Sequence, residues 1–325
     1  MVSALTYQVD SDTLAEQIEK ILESLSSLQF GRIPSKTVFQ AILAIAGEED
    51  IQRAADWGVL ARRVQGRLGE AVTRTETALN RAITFLIDDV GVPLARLVPY
   101  TAQLVLITAF FGANPDPNKE QMHDLQRWFW LTSWSGYFAG ANTTQIKNAL
   151  LEMQEFASNC KFPRVDEPPR LFPDKFDMRS ARVRALLLWQ LRKFENPIDT
   201  EGQKIDVIRT LERVDTQAYR HVVSQGHPLA SSPANRVVMP TQPRVSVKRA
   251  ITSVEDGLCE QFCVSNGIPI SALDALKQND DEAFVRLRAE FLSLREQEFM
   301  RSWGTNPPSG NQWGETDIDT EIDAE

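Results

Sequence analysis

The sequence predicts a mainly α-helical protein, organised as a helical bundle followed by a second, smaller helical module with an irregular insert. Apolar residues recur at helical spacing along most of the chain, and Gly or Pro separates these stretches into lengths typical of helices. Only two short pieces, 237–239 and 245–247, resemble β-strands. With 325 residues, the chain is long enough for one large or two ordinary domains.

Six helices are predicted in the first half of the chain. For the first helix, Ser11 or Asp12 is the expected cap. The fourth is apolar but too often interrupted by polar residues to span a bilayer, so it predicts a buried core helix with Pro99 in its first turn. The first helix begins in the run 10–13, and the others cover 36–46, 62–90, 94–113, 119–134 and 144–159.

An aromatic segment dominates the fifth of these helices. Three of the seven tryptophans, Trp128, Trp130 and Trp134, lie within a few residues of one another, and Gly136 ends the helix. The default interpretation is that these rings form part of a buried core. The alternative is that they form a surface that binds another helix.

A proline-rich stretch is the best candidate for a domain boundary. Residues 162–176 contain four prolines, which disfavour helix. Beyond them, helices are predicted at 178–194, 270–276 and 282–299, and the acidic C-terminal residues have too few apolar side chains to fold. The predicted organisation is a helical bundle at 1–161, a boundary at 162–177, a helical module at 178–300 with an irregular insert at 195–250, and a disordered tail at 301–325.

The charge distribution is uneven. A net charge of −9 argues against a strongly basic nucleic-acid binder, but residues 301–325 account for −5 of it. Residues 161–193 carry nine Lys or Arg against four Asp or Glu, which predicts a local basic face or simply a solvated helix face. If the face binds phosphates, the expected nucleic-acid contacts are Arg179, Arg182, Arg184, Arg244, Lys248 and Arg249.

Few residues are candidates for catalysis. The chain lacks a Gly-rich phosphate loop and a Gly-x-Ser-x-Gly elbow, and Cys259 and Cys263 have no nearby partners at zinc-ligand spacing. His221, His227 and Asn235 fall within the irregular insert. A His followed at a distance by Asn is the outline of an HNH-type nuclease, so these three are the catalytic candidates, and that alternative implies a divalent metal.

Several segments resemble a known family in their order and spacing. The aromatic segment 127–138 follows Ala-Ile-Thr-Phe-Leu at 82–86 and Leu-Val-Pro-Tyr-Thr at 97–101. It precedes a helix with a Gly turn at 186–202, Pro-Ala-Asn-Arg-Val-Val-Met at 233–239 and a Phe-x-x-x-Arg helix at 281–288. This arrangement is similar to the C-terminal half of GmrSD-type restriction proteins, which cleave modified phage DNA.

The sequence departs from the pattern of this family in two respects. Complete members begin with a ParB-like nucleotide-binding domain that carries an Asp-Gly-Gln-Gln-Arg motif, which this sequence does not contain. Active nucleases of the family carry a His-His-Ile-Phe-Pro type motif, and the matching stretch here, Tyr219-Arg-His-Val-Val-Ser, keeps one histidine and no proline. Carried over by position, only His221 and Asn235 match.

The preferred hypothesis is therefore a non-catalytic subunit or scaffold of a GmrSD-like, DNA-targeting anti-phage system. A separate ParB-like subunit would supply nucleotide hydrolysis, so this chain needs no cofactor of its own. The alternatives are a divergent metal-dependent HNH-type DNA endonuclease and a protein-interaction scaffold without a nucleic-acid role.

The same hypothesis predicts a partner surface and a location. Ile18, Leu22, Val38 and Ile42 would contact the ParB-like subunit and would be partly exposed in the isolated chain. Residues 1–10 have neither the basic nor the apolar part of a signal peptide, and three cysteines do not form an even disulfide set. Both observations favour a cytoplasmic protein without a membrane partner.

Overall fold

The computed structural model of the chain describes residues 8–9, 12–52 and 68–308. It confirms the predicted mainly α-helical class. The chain divides into two compact units, and the division falls between Glu167 and Pro168, inside the proline-rich stretch. No helix in the described ranges is both long enough and apolar enough to cross a membrane.

The first unit contains a two-stranded antiparallel ribbon and six helices within its described residues. The first helix is capped by Thr13, whose side chain accepts the N–H of Glu16 while the Glu16 carboxylate accepts the N–H of Thr13, so the predicted cap Asp12 is wrong. The other predicted cap, Ser11, lies outside the described residues. The elements are β1 Gln8–Val9, β2 Asp12–Thr13, α1 Leu14–Leu25, α2 Ser35–Ile45, α3 Leu68–Phe85, α4 Thr101–Ala113, α5 Lys119–Ser135 and α6 Thr143–Asn159. Residues 62–67 of the predicted third helix lie outside the described residues.

Helix α4 forms the centre of this unit. It packs against α2, α3 and α6, and it is apolar on all sides, as expected of a helix with no solvent face. The predicted buried core helix is thus confirmed, but it begins later than expected. The helix starts after Tyr100, whose N–H is accepted by the Gln103 side-chain oxygen at 3.2 Å, so Pro99 precedes the helix and does not lie in its first turn.

The aromatic segment on α5 belongs to the core. Trp128, Trp130 and Trp134 are each at most 2% exposed, and the rings of Trp130 and Trp134 stack with centroids 5.2 Å apart. The buried Gln103 amide joins α4 to this segment, because its Nε2 donates to the Phe129 carbonyl at 3.1 Å and to the Thr132 hydroxyl at 2.9 Å. These rings therefore do not form a surface for another helix.

The predicted partner surface is also largely buried. Ile18, Val38 and Ile42 are all 0% exposed, and only Leu22 is partly exposed. The expectation of partial exposure is wrong for the first three because α1 packs against α2 and α3, α2 also packs against α3 and α4, and these side chains fill the space between the helices. They cannot reach a partner without unfolding of the unit.

The second unit contains a two-stranded hairpin and six helices in its described part. The insert expected to be irregular at 195–250 holds a short helix and both strands, and the predicted strand at 245–247 is wrong because Ser246 instead caps a helix. The elements are α7 Ala181–Lys193, α8 Val207–Val214, β3 Tyr219–His221, β4 Arg236–Val238, α9 Val247–Thr252, α10 Asp256–Asn266, α11 Ile270–Lys277 and α12 Asp281–Ser302. The predicted tail begins too early, since α12 continues to Ser302, and residues 309–325 lie outside the described residues.

Helix α12 connects the parts of this unit through a buried ion pair. Arg182 on α7 and Glu296 on α12 form a two-point contact, with Nη1 to Oε1 at 2.8 Å and Nη2 to Oε2 at 2.6 Å. Their side chains are 6% and 1% exposed. Arg182 also donates through Nε to the Leu171 carbonyl at 3.0 Å, which fixes the extended segment before α7. The pair is thus a structural junction between two helices and a connecting segment.

We expect Glu296→Gln to destabilise the protein by about 3–5 kcal/mol, because it leaves the Arg182 charge buried without a counter-charge. Urea denaturation followed by circular dichroism measures the change. Glu298→Gln is the matched control, since Glu298 pairs with Arg295 at the surface and its loss should cost less than about 1 kcal/mol. Similar losses in both variants would contradict the structural role of the buried pair.

Candidate nucleic-acid groove

A strand–loop–strand–helix segment forms the candidate site in the second unit. Strands β3 and β4 pair antiparallel, with His221 opposite Arg236. The loop between them is closed by Asn235, whose side-chain oxygen accepts the Val223 N–H at 2.7 Å and whose amide nitrogen donates to the Val223 and Ala230 carbonyls at 3.2 and 3.1 Å. These side-chain bonds satisfy backbone groups of the loop that have no partner in the sheet, so the ends of the two strands are held in fixed positions.

An open groove with a cavity volume of about 900 Å³ runs beside this hairpin. It is rich in basic side chains, and its two carboxylates are both engaged in ion pairs. Asp177 contacts Arg179 at 2.7 Å and Asp281 contacts Lys248 at 2.6 Å. The titratable and charged residues that line the groove are Asp177, Arg179, Tyr219, Arg220, His221, Arg236, Lys248 and Asp281.

Arg236 and His221 form a pair on one face of the hairpin, as residues directly opposite each other on antiparallel strands do. Arg236 Nη1 lies 3.3 Å from His221 Nδ1 and donates to the Tyr219 carbonyl at 3.2 Å. The guanidinium also covers the ring of Phe176, at 4.7 Å from its centroid. Burial, and next the charge of Arg236, lower the pKa of His221 below its ordinary value.

The three predicted catalytic residues do not form a metal site. Asn235 is 0% exposed and its side chain is committed to the loop, while His227 Nδ1 accepts the Leu229 N–H at 3.1 Å. A guanidinium lies against His221 Nδ1, and a neighbouring cation disfavours metal binding there. In the described part of the chain, no three His, Cys, Asp or Glu side chains lie close enough together to hold a metal ion.

The predicted nucleic-acid contacts are only partly brought together. Arg179 and Lys248 line the groove. Arg182 is buried in its pair with Glu296, so its assignment as a contact is wrong. The remaining three lie outside the groove lining, where Arg184 donates to the Arg179 carbonyl and Arg244 and Arg249 are exposed.

Two groove residues, Arg220 and Arg236, were not predicted. Arg236 adjoins Asn235 and begins a strand at about the position expected from the sequence. The missing information was the partner strand, because β3 is only three residues long and shows no clear alternation. With 219–221 recognised as that strand, the register alone places Arg236 beside His221.

Comparisons of the chain with models of known protein families, with curated protein sequences and with solved structures found no match.

We expect His221 to titrate below the pH at which the unfolded chain titrates its histidines. A folded pKa below the ordinary value of about 6.5 means that the unfolded state binds more protons just below that pH. Stability therefore falls as the pH drops from about 6.5 towards the folded pKa of His221. Histidine-ring NMR in buffer and in urea measures both titrations.

Arg236→Gln tests the cause of that shift. Removing the nearby charge should raise the folded pKa of His221 part of the way, since burial, the larger cause, remains. Equal titration midpoints in the folded and unfolded wild-type chain would contradict the assigned environment of His221.

Proposed function

We propose that this chain is a nucleic-acid-binding, non-catalytic subunit of a GmrSD-like, DNA-targeting anti-phage system in the cytoplasm. A ParB-like subunit that hydrolyses nucleotide is part of the same proposal. The observation that carries it is the basic groove of the second unit, which lies beside the hairpin that the resemblance aligns with the nuclease segment of the family.

The charge balance of the groove supports phosphate binding. Four cationic side chains line it, those of Arg179, Arg220, Arg236 and Lys248, and only two carboxylates oppose them. Lys and Arg that neutralise backbone phosphates release condensed counterions, which is the main source of sequence-independent affinity. Because this term depends on local charge, an acidic chain can still bind DNA through one basic groove.

The contacts of the hairpin favour binding over cleavage. Arg236 can only donate, so His221 Nδ1 facing it is the acceptor and the neutral ring carries its proton on Nε2. A ring in this state has no free basic nitrogen with which to activate water or bind a metal. Asn235, the second residue matched to the family, serves the loop backbone.

A divergent nuclease is the second candidate, and one observation favours it. His221 ends β3 and Asn235 directly precedes β4, so the two residues of the HNH outline lie at the two ends of one closed loop. The nuclease alternative would require Arg236 to move away from His221 when DNA and metal bind, and this requirement separates the two functions experimentally.

We expect Arg179→Gln and Lys248→Gln each to weaken duplex DNA binding uniformly across sequences and to reduce the slope of log affinity against log salt by about 1. Fluorescence anisotropy over a series of KCl concentrations measures both quantities. Arg209→Gln, on the exposed side of α8 and away from the groove lining, is the charge-matched control. An equal loss in the control, or binding that does not depend on salt, would contradict a groove-specific phosphate interaction.

We expect the purified chain not to cut modified or unmodified plasmid DNA in Mg²⁺ or Mn²⁺, because no nitrogen of His221 is free to act as a base. Gel electrophoresis after prolonged incubation tests this. If cleavage occurs and is lost in His221→Ala, the nuclease is the correct function and the non-catalytic proposal is wrong.

A further inference from the structure

The guanidinium of Arg236 has unused hydrogen-bonding capacity in the groove. Of its five N–H donors, those on Nη1 serve the Tyr219 carbonyl and His221, those on Nη2 make no hydrogen bond within the described part of the chain, and the Nε–H is buried there without an acceptor. Its neighbour from the packed segments is aromatic: the guanidinium lies over the ring of Phe176, which in turn packs against the ring of Tyr219. A partly buried guanidinium without a carboxylate is costly unless an anion satisfies it.

His221 adds a second donor beside this guanidinium. The ring accepts from Arg236 at Nδ1, which leaves Nε2–H as a donor. The other charged groups that line the groove cannot supply a competing anion at low cost, because Asp177 and Asp281 are already paired with Arg179 and Lys248. The pair formed by Arg236 and His221 is therefore complementary to an oxyanion and not to a metal cation.

We infer that Arg236 and the Nε2–H of His221 form a binding site for a single phosphate group within the groove. The inference deepens the proposed nucleic-acid function and rests on it for the identity of the natural ligand. The phosphate could belong to the backbone of DNA or to a free phosphate or nucleotide, and both present the same oxygens. Binding requires no chemical step, since the site only donates hydrogen bonds and charge.

The site itself is tested with inorganic phosphate on the full chain, followed by ¹⁵N-histidine NMR. Added phosphate should shift the His221 ring resonances, with ¹⁵N shifts that place the proton on Nε2, and chloride at equal ionic strength should not. The shift should be lost in Arg236→Gln and kept in Arg209→Gln. If the wild-type His221 resonances do not respond to phosphate, the site does not exist, whether or not Arg236→Gln folds.

DNA binding by the same variants identifies the source of the phosphate. Arg236→Gln should weaken binding of a short duplex about 10-fold, the loss expected for one charge-assisted hydrogen-bonded contact. Arg236→Lys, which keeps the charge but not the planar fork, should recover only part of it. The His221→Gln variant keeps an N–H donor and should bind better than His221→Ala.

The outcomes separate this site from the proposed function. If phosphate shifts His221 but the wild-type chain does not bind DNA, the site takes a free phosphate or nucleotide and the nucleic-acid function fails. If Arg179→Gln weakens DNA binding and Arg236→Gln does not, the groove binds DNA and the Arg236–His221 site is overturned.

Discussion

A fully buried arginine, Arg288, joins the parts of the second unit on which the groove depends. Its Nη1 donates to the carbonyls of Ala234 and Arg236 at 2.6 and 2.8 Å, and its Nε donates to the Gly267 carbonyl at 3.0 Å. None of these partners is a carboxylate. The charge is balanced by peptide dipoles, including those at the C-terminal end of α10, where the helix carries partial negative charge. Burial lowers the pKa of Arg288 to about 10, so the side chain remains a cation at neutral pH.

Asn235 and Arg288 together hold the start of β4 in place. Asn235 closes the loop before β4, while Arg288 holds the carbonyls of the residues on either side of Asn235. The backbone that carries the Arg236 side chain is thereby attached to α12, which the Arg182–Glu296 pair attaches to α7. A ligand that meets Arg236 therefore meets a preorganised donor, and little ordering entropy is lost on binding.

The sequence predicted the fold class and most helices because their signals are local. The apolar period and the terminal glycines such as Gly136 are visible within a few residues. The burial of Ile18 and Val38 was not visible, because an apolar stripe is the same whether it faces its own chain or a partner. Only one strand of the hairpin, β4, was predicted. The three residues of β3 form a strand because they pair with β4, in which Arg236 lies fifteen residues beyond His221.

The arginines show most clearly why the site could not be read from charge along the chain. Arg182 and Arg288 are indistinguishable in sequence from Arg179 and Arg236, yet the first two are internal and the last two line the groove. They differ in the partners that the fold supplies. Arg182 meets a buried carboxylate and Arg288 several carbonyls. Arg179 meets a surface carboxylate, and Arg236 meets an aromatic ring and a neutral histidine. Only the last of these four arrangements leaves a partly buried cation with donors to spare, so local compensation, and not the net charge of −9, determines where an anion can bind.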